Sequence, residues 1–240
     1  MPRVFRRVDG RRSNEIRPVK ITRHYTRNAP GSVLIEVGGT RVICTASVEK
    51  RVPQFLQNSG RGWVTGEYGM LPGSTERRKP RDRNKTDGRT VEIQRLIGRS
   101  MRAVVDTEKL GERTVWIDCD VIQADGGTRT AAITGGYVAM VDAIRWLLDN
   151  EMLDASPLTG LVAAVSVGIV DGRTLVDLCY AEDVGAEVDM NVVMTGKGDF
   201  VEIQGTAEHK AFSAKDLTKL LSVAGSGIRR FIQAQKRALS

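Results

Sequence analysis

Apolar residues change their period several times along this chain, and each change marks a candidate element. From residue 18 to residue 50 apolar and polar positions alternate, the period of a half-buried strand. Residues 32–37 and 41–48 flank Gly38-Gly39-Thr40 and read as a hairpin. A further strand spans 63–68. Ile93, Leu96, Ile97, Met101, Val104 and Val105 then recur at helical spacing, which predicts a helix over about 90–110. Alternation returns with Val115, Ile117, Cys119 and Val121, so 114–124 reads as a strand. It runs into a helix over about 130–150 that buries Ile133, Tyr137, Met140, Val141, Ile144 and Leu148. Gly135-Gly136 weakens that helix locally and implies close packing on the sheet.

The second half repeats the order. Residues 161–170 and 173–180 flank Asp171-Gly172, the clearest hairpin signal in the chain. Short strands at 191–195 and 200–204 surround Gly196-Lys197-Gly198-Asp199. An amphipathic helix begins near residue 214 and carries Leu217, Leu220, Leu221, Val223, Ile228, Phe231 and Ile232. Strands then a helix occur early and again late, with no linker-like segment between. The expected fold class is α+β, a single domain over residues 1–240 with a trace of internal duplication.

Composition narrows the class. The chain has 240 residues, 41% hydrophobic and 27% charged, as in globular proteins. No apolar run reads as a membrane span. The basic N-terminus, with Arg3, Arg6, Arg7, Arg11 and Arg12, lacks the apolar stretch of a secretory signal. We therefore expect a cytoplasmic protein with no membrane partner. Cys44, Cys119 and Cys179 are odd in number, far apart and set in apolar runs, so they read as buried thiols.

Charge adds a partner. The formal net charge is +7. Between residues 77 and 89 lie Arg77, Arg78, Lys79, Arg81, Arg83, Lys85 and Arg89, opposed by Asp82 and Asp87. With Pro80, Gly88 and no periodicity, this is a surface loop. Such a run is either a solvated charge cluster or a grip on a nucleic-acid backbone, and the second basic cluster at the N-terminus favours the grip. Arg95, Arg99 and Arg102 share one face of the helix after it, where a solvated or subunit-paired stripe is favoured over RNA contact.

Candidate chemistry follows from three places. Gly126-Gly127-Thr128-Arg129-Thr130 joins the strand at 114–124 to the helix after it. Two glycines permit a tight turn, helix N–H groups carry partial positive charge, and Thr128 and Arg129 add donors matched to phosphate. The same five residues also serve as a plain turn and cap. With only His24 and His209 present, imidazole catalysis has little support, so carboxylates must move protons. The strongest acidic stretch is Glu182-Asp183-Val184-Gly185-Ala186-Glu187-Val188-Asp189. Asp183 and Asp189 are six residues apart, close enough for one turn to bring both to one site, where one holds magnesium and the other moves a proton. A solvated acidic connector fits that spacing too. Phosphate pocket, carboxylate pair and basic grip together describe one reaction: phosphate attacks the last phosphodiester of a nucleic acid and releases a nucleoside diphosphate.

Longer motifs carry a resemblance. Gly62-Trp63-Val64-Thr65-Gly66-Glu67-Tyr68-Gly69-Met70-Leu71-Pro72, the run from Gly88 to Arg99, the run from Asp118 to Thr130, Asp189-Met190-Asn191-Val192-Val193-Met194 and Gln204-Gly205-Thr206-Ala207-Glu208 resemble the ribonuclease PH family. The resemblance implies a fold like ribosomal protein S5 domain 2 and phosphate-dependent 3′-to-5′ trimming of tRNA precursors, reversible when nucleoside diphosphates abound. It implies a homo-hexamer built as a trimer of dimers, with RNA and not DNA as partner. It puts phosphate on Arg89, Gly127, Thr128 and Arg129, and catalytic and magnesium-site carboxylates on Asp183 and Asp189, Asp189 being the general acid. Related polynucleotide phosphorylases carry lysine two positions after the second aspartate, where this chain has Asn191. Arg77, Arg78, Lys79, Arg81, Arg83 and Lys85 carry over as an RNA-gripping region.

Overall fold

The computed structural model describes residues 7–81, 87–208 and 211–240. Arg3, Arg6, Asp82, Arg83, Lys85 and His209 therefore lie outside the described residues. The elements in chain order are β1 (Val19–Arg23), β2 (Gly31–Val37), β3 (Thr40–Glu49), β4 (Trp63–Met70), α1 (Gly88–Arg102), α2 (Thr107–Leu110), β5 (Thr114–Gln123) and α3 (Thr128–Asp149). Then follow β6 (Val162–Val170), β7 (Arg173–Val176), α4 (Tyr180–Val184), β8 (Val188–Thr195), β9 (Phe200–Ala207) and α5 (Ala214–Leu239).

Two sheets result. The first has the order β1-β2-β3-β5-β4, antiparallel except for the parallel pair β4 and β5; the second, β7-β6-β8-β9, is antiparallel throughout. Alternation turns Val33, Ile35, Val42, Cys44, Ala46, Ile117, Cys119 and Val121 to one buried face of the first sheet, and α3 lies on it. Gly135 makes the fit possible: a Cβ there would sit 2.6 Å from Ile35 Cγ2 and 3.0 Å from Cys44 Sγ. The other side of α3 meets β6 and α5, so the helix is enclosed between layers.

That position accounts for a run more apolar than the sequence reading allowed. By length and composition α3 is apolar enough to cross a membrane, yet 83% of its most apolar stretch is buried inside the protein. A helix apolar all round is what a central layer requires. By contrast α5 buries one stripe, with Leu220, Ala224, Ile228, Phe231 and Ile232, and turns the rest to water.

Other boundaries shift for local reasons. The helix expected over 90–110 ends at Arg102: Val105 bridges to Leu158, and Asp106 caps a separate short helix, α2. The strand expected over 173–180 ends at Val176, because Asp177 takes a positive φ of 55° and its carboxylate is consumed by Arg17. The Asp171-Gly172 hairpin forms, both residues at positive φ. All three cysteines are free and buried.

The basic N-terminus is corrected more substantially. Arg7 is 3% exposed and forks onto Glu182, Nε to Oε1 at 2.7 Å and Nη2 to Oε2 at 2.6 Å. Arg11 reaches Asp177 Oδ2 at 3.4 Å. These two arginines tie the N-terminal segment to the second sheet, leaving Arg12 as the exposed arginine among the described ones of that cluster.

Candidate active site

The phosphate-like junction forms between β5 and α3. Gly126 and Gly127 both have positive φ, 72° and 63°, and Gly127 is the N-cap of α3. Gly126 has a second reason: a Cβ there would lie 2.6 Å from Leu178 O and 2.7 Å from Cys179 C. The loop's carbonyls are already engaged. Arg17 donates to Asp125 O, Thr40 Oγ1 donates to Gly126 O at 2.6 Å, and Thr130 Oγ1 donates to Gly127 O at 2.9 Å. With the oxygens turned away, the loop offers N–H groups to the cavity, where the first turn of a helix has no internal acceptors for them.

Arg17 is the main support. It is buried and bonds both carboxylate oxygens of Asp177, at 2.7 and 3.0 Å, while its far end holds the glycine loop. Thr128 is fixed from the sheet by Tyr68, whose hydroxyl lies 2.8 Å from Thr128 Oγ1 in a buried contact. Burial pushes the Tyr68 phenol above its usual range, so it stays protonated.

A cavity of about 700 Å³ opens over this junction. Its walls bring together Arg89, Gly127, Thr128, Arg129, Asp183 and Asp189, from four elements and a loop. Arg89 enters from the first turn of α1, where Asp87 caps the helix by accepting from Thr90 N at 2.6 Å. Arg129 is aimed by two neighbours, Gln204 Oε1 at 3.0 Å and Glu92 Oε1 at 3.4 Å. Asp183 stands on α4, and Asp189 is the second residue of β8, in register with Gly168 on one side and Thr206 on the other.

The two carboxylates are poised against ionisation. Burial raises Asp183, a rise that Arg89 and Arg129 moderate. Burial first, and then the Asp183 charge, push Asp189 up to about 6, with Arg129 opposing. Asp189 Oδ1 is buried without a hydrogen-bond partner among the described residues.

The basic run divides. Arg77 and Lys79 line the cavity, Lys79 also pairing with Asp87 Oδ2 at 3.1 Å. Arg78 and Arg81 are exposed and away from the cavity wall, and Arg83 and Lys85 lie outside the described residues. On α1, Arg99 pairs with Glu202 at 2.7 Å, Arg102 covers Trp63 at 4.1 Å, and Arg95 is exposed.

Sequence reasoning missed Arg17, Tyr68 and Asp177 as supports, and Ser166 and Tyr180 as cavity wall. Tyr68 sits on the buried face of β4 with Val64, a hint of core and not of function. Arg17 carries no local signal, since its partners are 108 and 160 residues away.

Comparisons with known proteins agree on one family. Residues 15–145 match the "3' exoribonuclease family, domain 1" and residues 160–227 match its domain 2. The chain is 59% identical over 239 residues, 98% of each sequence, to "Ribonuclease PH" of Synechococcus sp. (strain JA-2-3B'a(2-13)). Among solved structures it resembles rice (Oryza sativa) Rrp46, with TM-score 0.78 at 19% identity over 98% of this chain and all of that one. It also resembles the Archaeoglobus fulgidus exosome with RNA bound to the active site, with TM-score 0.79 at 21% identity over 95% of this chain and 92% of that one.

Proposed function

The chain belongs to the 3′ exoribonuclease family, in its ribonuclease PH branch, and from that membership we propose how its cavity works. The protein is a phosphate-dependent 3′-to-5′ exoribonuclease that acts on tRNA. The observation that carries the mechanism is the meeting of a helix-terminal anion cradle, two arginines and two burial-raised carboxylates in one cavity.

In this reading the cradle of Gly127, Thr128 and Arg129, with Arg89 opposite, holds inorganic phosphate. Its donors orient one phosphate oxygen toward the phosphorus of the terminal RNA phosphodiester. That oxygen bonds to the phosphorus, and the bond from phosphorus to the O3′ of the preceding ribose breaks. A nucleoside diphosphate leaves, and the shortened RNA regains a 3′ hydroxyl. The proton for O3′ comes from Asp189, whose raised pKa keeps a protonated fraction near neutrality. Arg89 and Arg129 lie where negative charge crowds as two phosphates approach. Arg77 and Lys79, on the cavity wall, take the RNA backbone entering behind the last nucleotide.

A divalent cation fits the residues present. Magnesium is held by one or two carboxylates together with phosphate oxygens, and Asp183 and Asp189 are such a pair, one of their oxygens buried without a partner; Asp189 would use the oxygen that does not carry the proton. Among the described residues no group of three or more His, Cys, Asp or Glu forms a closed protein cage, which this mode of holding does not need. When bound there, magnesium would neutralise phosphate charge.

The proposed assembly is a homo-hexamer, a trimer of dimers, a reading supported by Phe200 and Ile203, which are exposed on the edge strand β9.

The test is the product. Incubated with a tRNA bearing an extended 3′ end, the protein should release nucleoside diphosphates only when phosphate is added. Nucleoside monophosphates released without phosphate would overturn the mechanism.

A further inference from the structure

The cavity exceeds what its cradle needs. About 700 Å³ is room for a drug-sized ligand, not for phosphate alone. An RNA end that presents its last phosphodiester to the cradle therefore brings its terminal ribose and base into the same space. Part of the wall they would meet is Tyr180, on α4.

Tyr180 is 60% exposed, and Val184, one turn further on the same helix, is 69% exposed. The long helices bury most of their apolar side chains, leaving single exceptions such as Val91 and Trp146, so a neighbouring exposed pair on a five-residue helix needs a reason. The backbone beneath the ring is fixed. Tyr180 N–H donates to Asp125 Oδ1 at 3.3 Å, and Gly126 packs so closely that a Cβ on it would lie 2.8 Å from Tyr180 N. The hydroxyl has no hydrogen-bond partner among the described residues. An anchored main chain with an uncommitted ring stands beside the anion loop, on the same cavity wall, three residues before Asp183.

We propose that Tyr180 is a stacking platform for the 3′-terminal nucleobase of the RNA, with Val184 extending its apolar surface. This rests on the reading that the cavity takes the RNA 3′ end. Stacking uses the π-face that every base has, so it holds the last nucleotide without demanding a particular sequence. That suits an enzyme which must accept each new end it creates. Tyrosine fits the rim, its ring against the base and its hydroxyl in water.

Two RNAs and three proteins test the idea, with binding measured in phosphate-free buffer so that phosphorolysis cannot proceed. One RNA is a single-stranded oligoribonucleotide, the other the same strand with an abasic 3′-terminal residue. The parent protein should bind the intact end about tenfold more tightly than the abasic end. Tyr180→Ala should lose that difference, and Tyr180→Phe should keep it. The KM for phosphate, measured with a saturating RNA, should stay the same in both variants. The proposal falls if Tyr180→Ala still distinguishes the two ends, or if Tyr180→Phe behaves like the alanine variant. It also falls if Tyr180→Ala changes the oligomer mass in light scattering while end discrimination persists, since the face would then be a subunit contact. A parent protein that makes no nucleoside diphosphate would instead overturn the catalytic reading, which is a separate measurement.

Discussion

Asp189 occupies a site that is uncomfortable for a carboxylate, and this discomfort has a measurable cost. Its pKa is pushed up to about 6 by burial and by Asp183, against about 3.9 in an unfolded chain. The folded state therefore binds the proton more tightly than the unfolded state does, and between about pH 4 and 6 the contribution of Asp189 to stability falls as pH rises. Above the folded pKa the penalty is complete, at most roughly 3 kcal/mol for a shift of about two units. Asp189→Asn should thus be inactive yet more stable than the parent at pH 8, with the gain shrinking as pH drops below about 6. Urea unfolding of both proteins in a metal chelator reads this directly, and equal stabilities at pH 8 would refute it. That Asp183 and Asp189 share one cavity was legible from their spacing and the family motif. The raised pKa of Asp189 was not, because desolvation depends on what packs around β8 in three dimensions. Arg7 and Arg11 show the converse: a basic cluster in sequence became structural ion pairs, since Glu182 and Asp177 reach them from far along the chain.

At the scale of elements, periodicity located most strands and helices, and local chemistry then set their ends. Asp87 illustrates how much an end decides. It caps α1 through Thr90 N–H, and that backbone bond, with help from Thr90 and Lys79 side chains, holds its carboxyl down at about 2. The cap fixes the first turn of α1, and the first turn carries Arg89 into the cavity. Asp87→Ala should cost about 1 kcal/mol in stability. It should also raise the KM for phosphate severalfold while leaving kcat less affected, because Arg89 would no longer be held at the cradle. Asp87→Asn, which keeps an oxygen acceptor, should restore much of both. If the alanine variant lost stability with an unchanged KM, the cap would be structural only. The cap was not read from the sequence, where Asp87 counts only as a charge opposing the basic run and the helix is expected to begin near residue 90. Nor was the early end of α1, since the bridge from Val105 to Leu158 is a tertiary contact that overrides a helical pattern.

The whole molecule poses the question of whether its two halves are two folding units. Two family segments match, one for each half, and each half has its own sheet. We expect one unit, and the packing is the reason. α3 belongs by sequence to the first segment, yet it supplies core to both sheets, and one continuous apolar cluster runs through them. α5, from the end of the chain, returns to pack on β1 and α3. Gln235 marks the seam: fully buried, it donates from Nε2 to Thr134 O on α3 at 3.0 Å and to Val162 O on β6 at 2.9 Å. Separating the halves would bare one side of α3 along its whole length, which no isolated soluble domain tolerates well. The expected outcome is a single unfolding transition, seen at the same denaturant concentration by fluorescence of Trp63, Trp116 and Trp146, on β4, β5 and α3, and by far-ultraviolet circular dichroism. Gln235→Ala should lower stability by about 2–4 kcal/mol, from two lost hydrogen bonds and the cavity left behind. If the halves form one unit, that loss moves the whole curve to lower denaturant with an unchanged slope. If they fold separately, the same substitution would split the curve in two, with the tryptophan signal holding while part of the dichroism is lost.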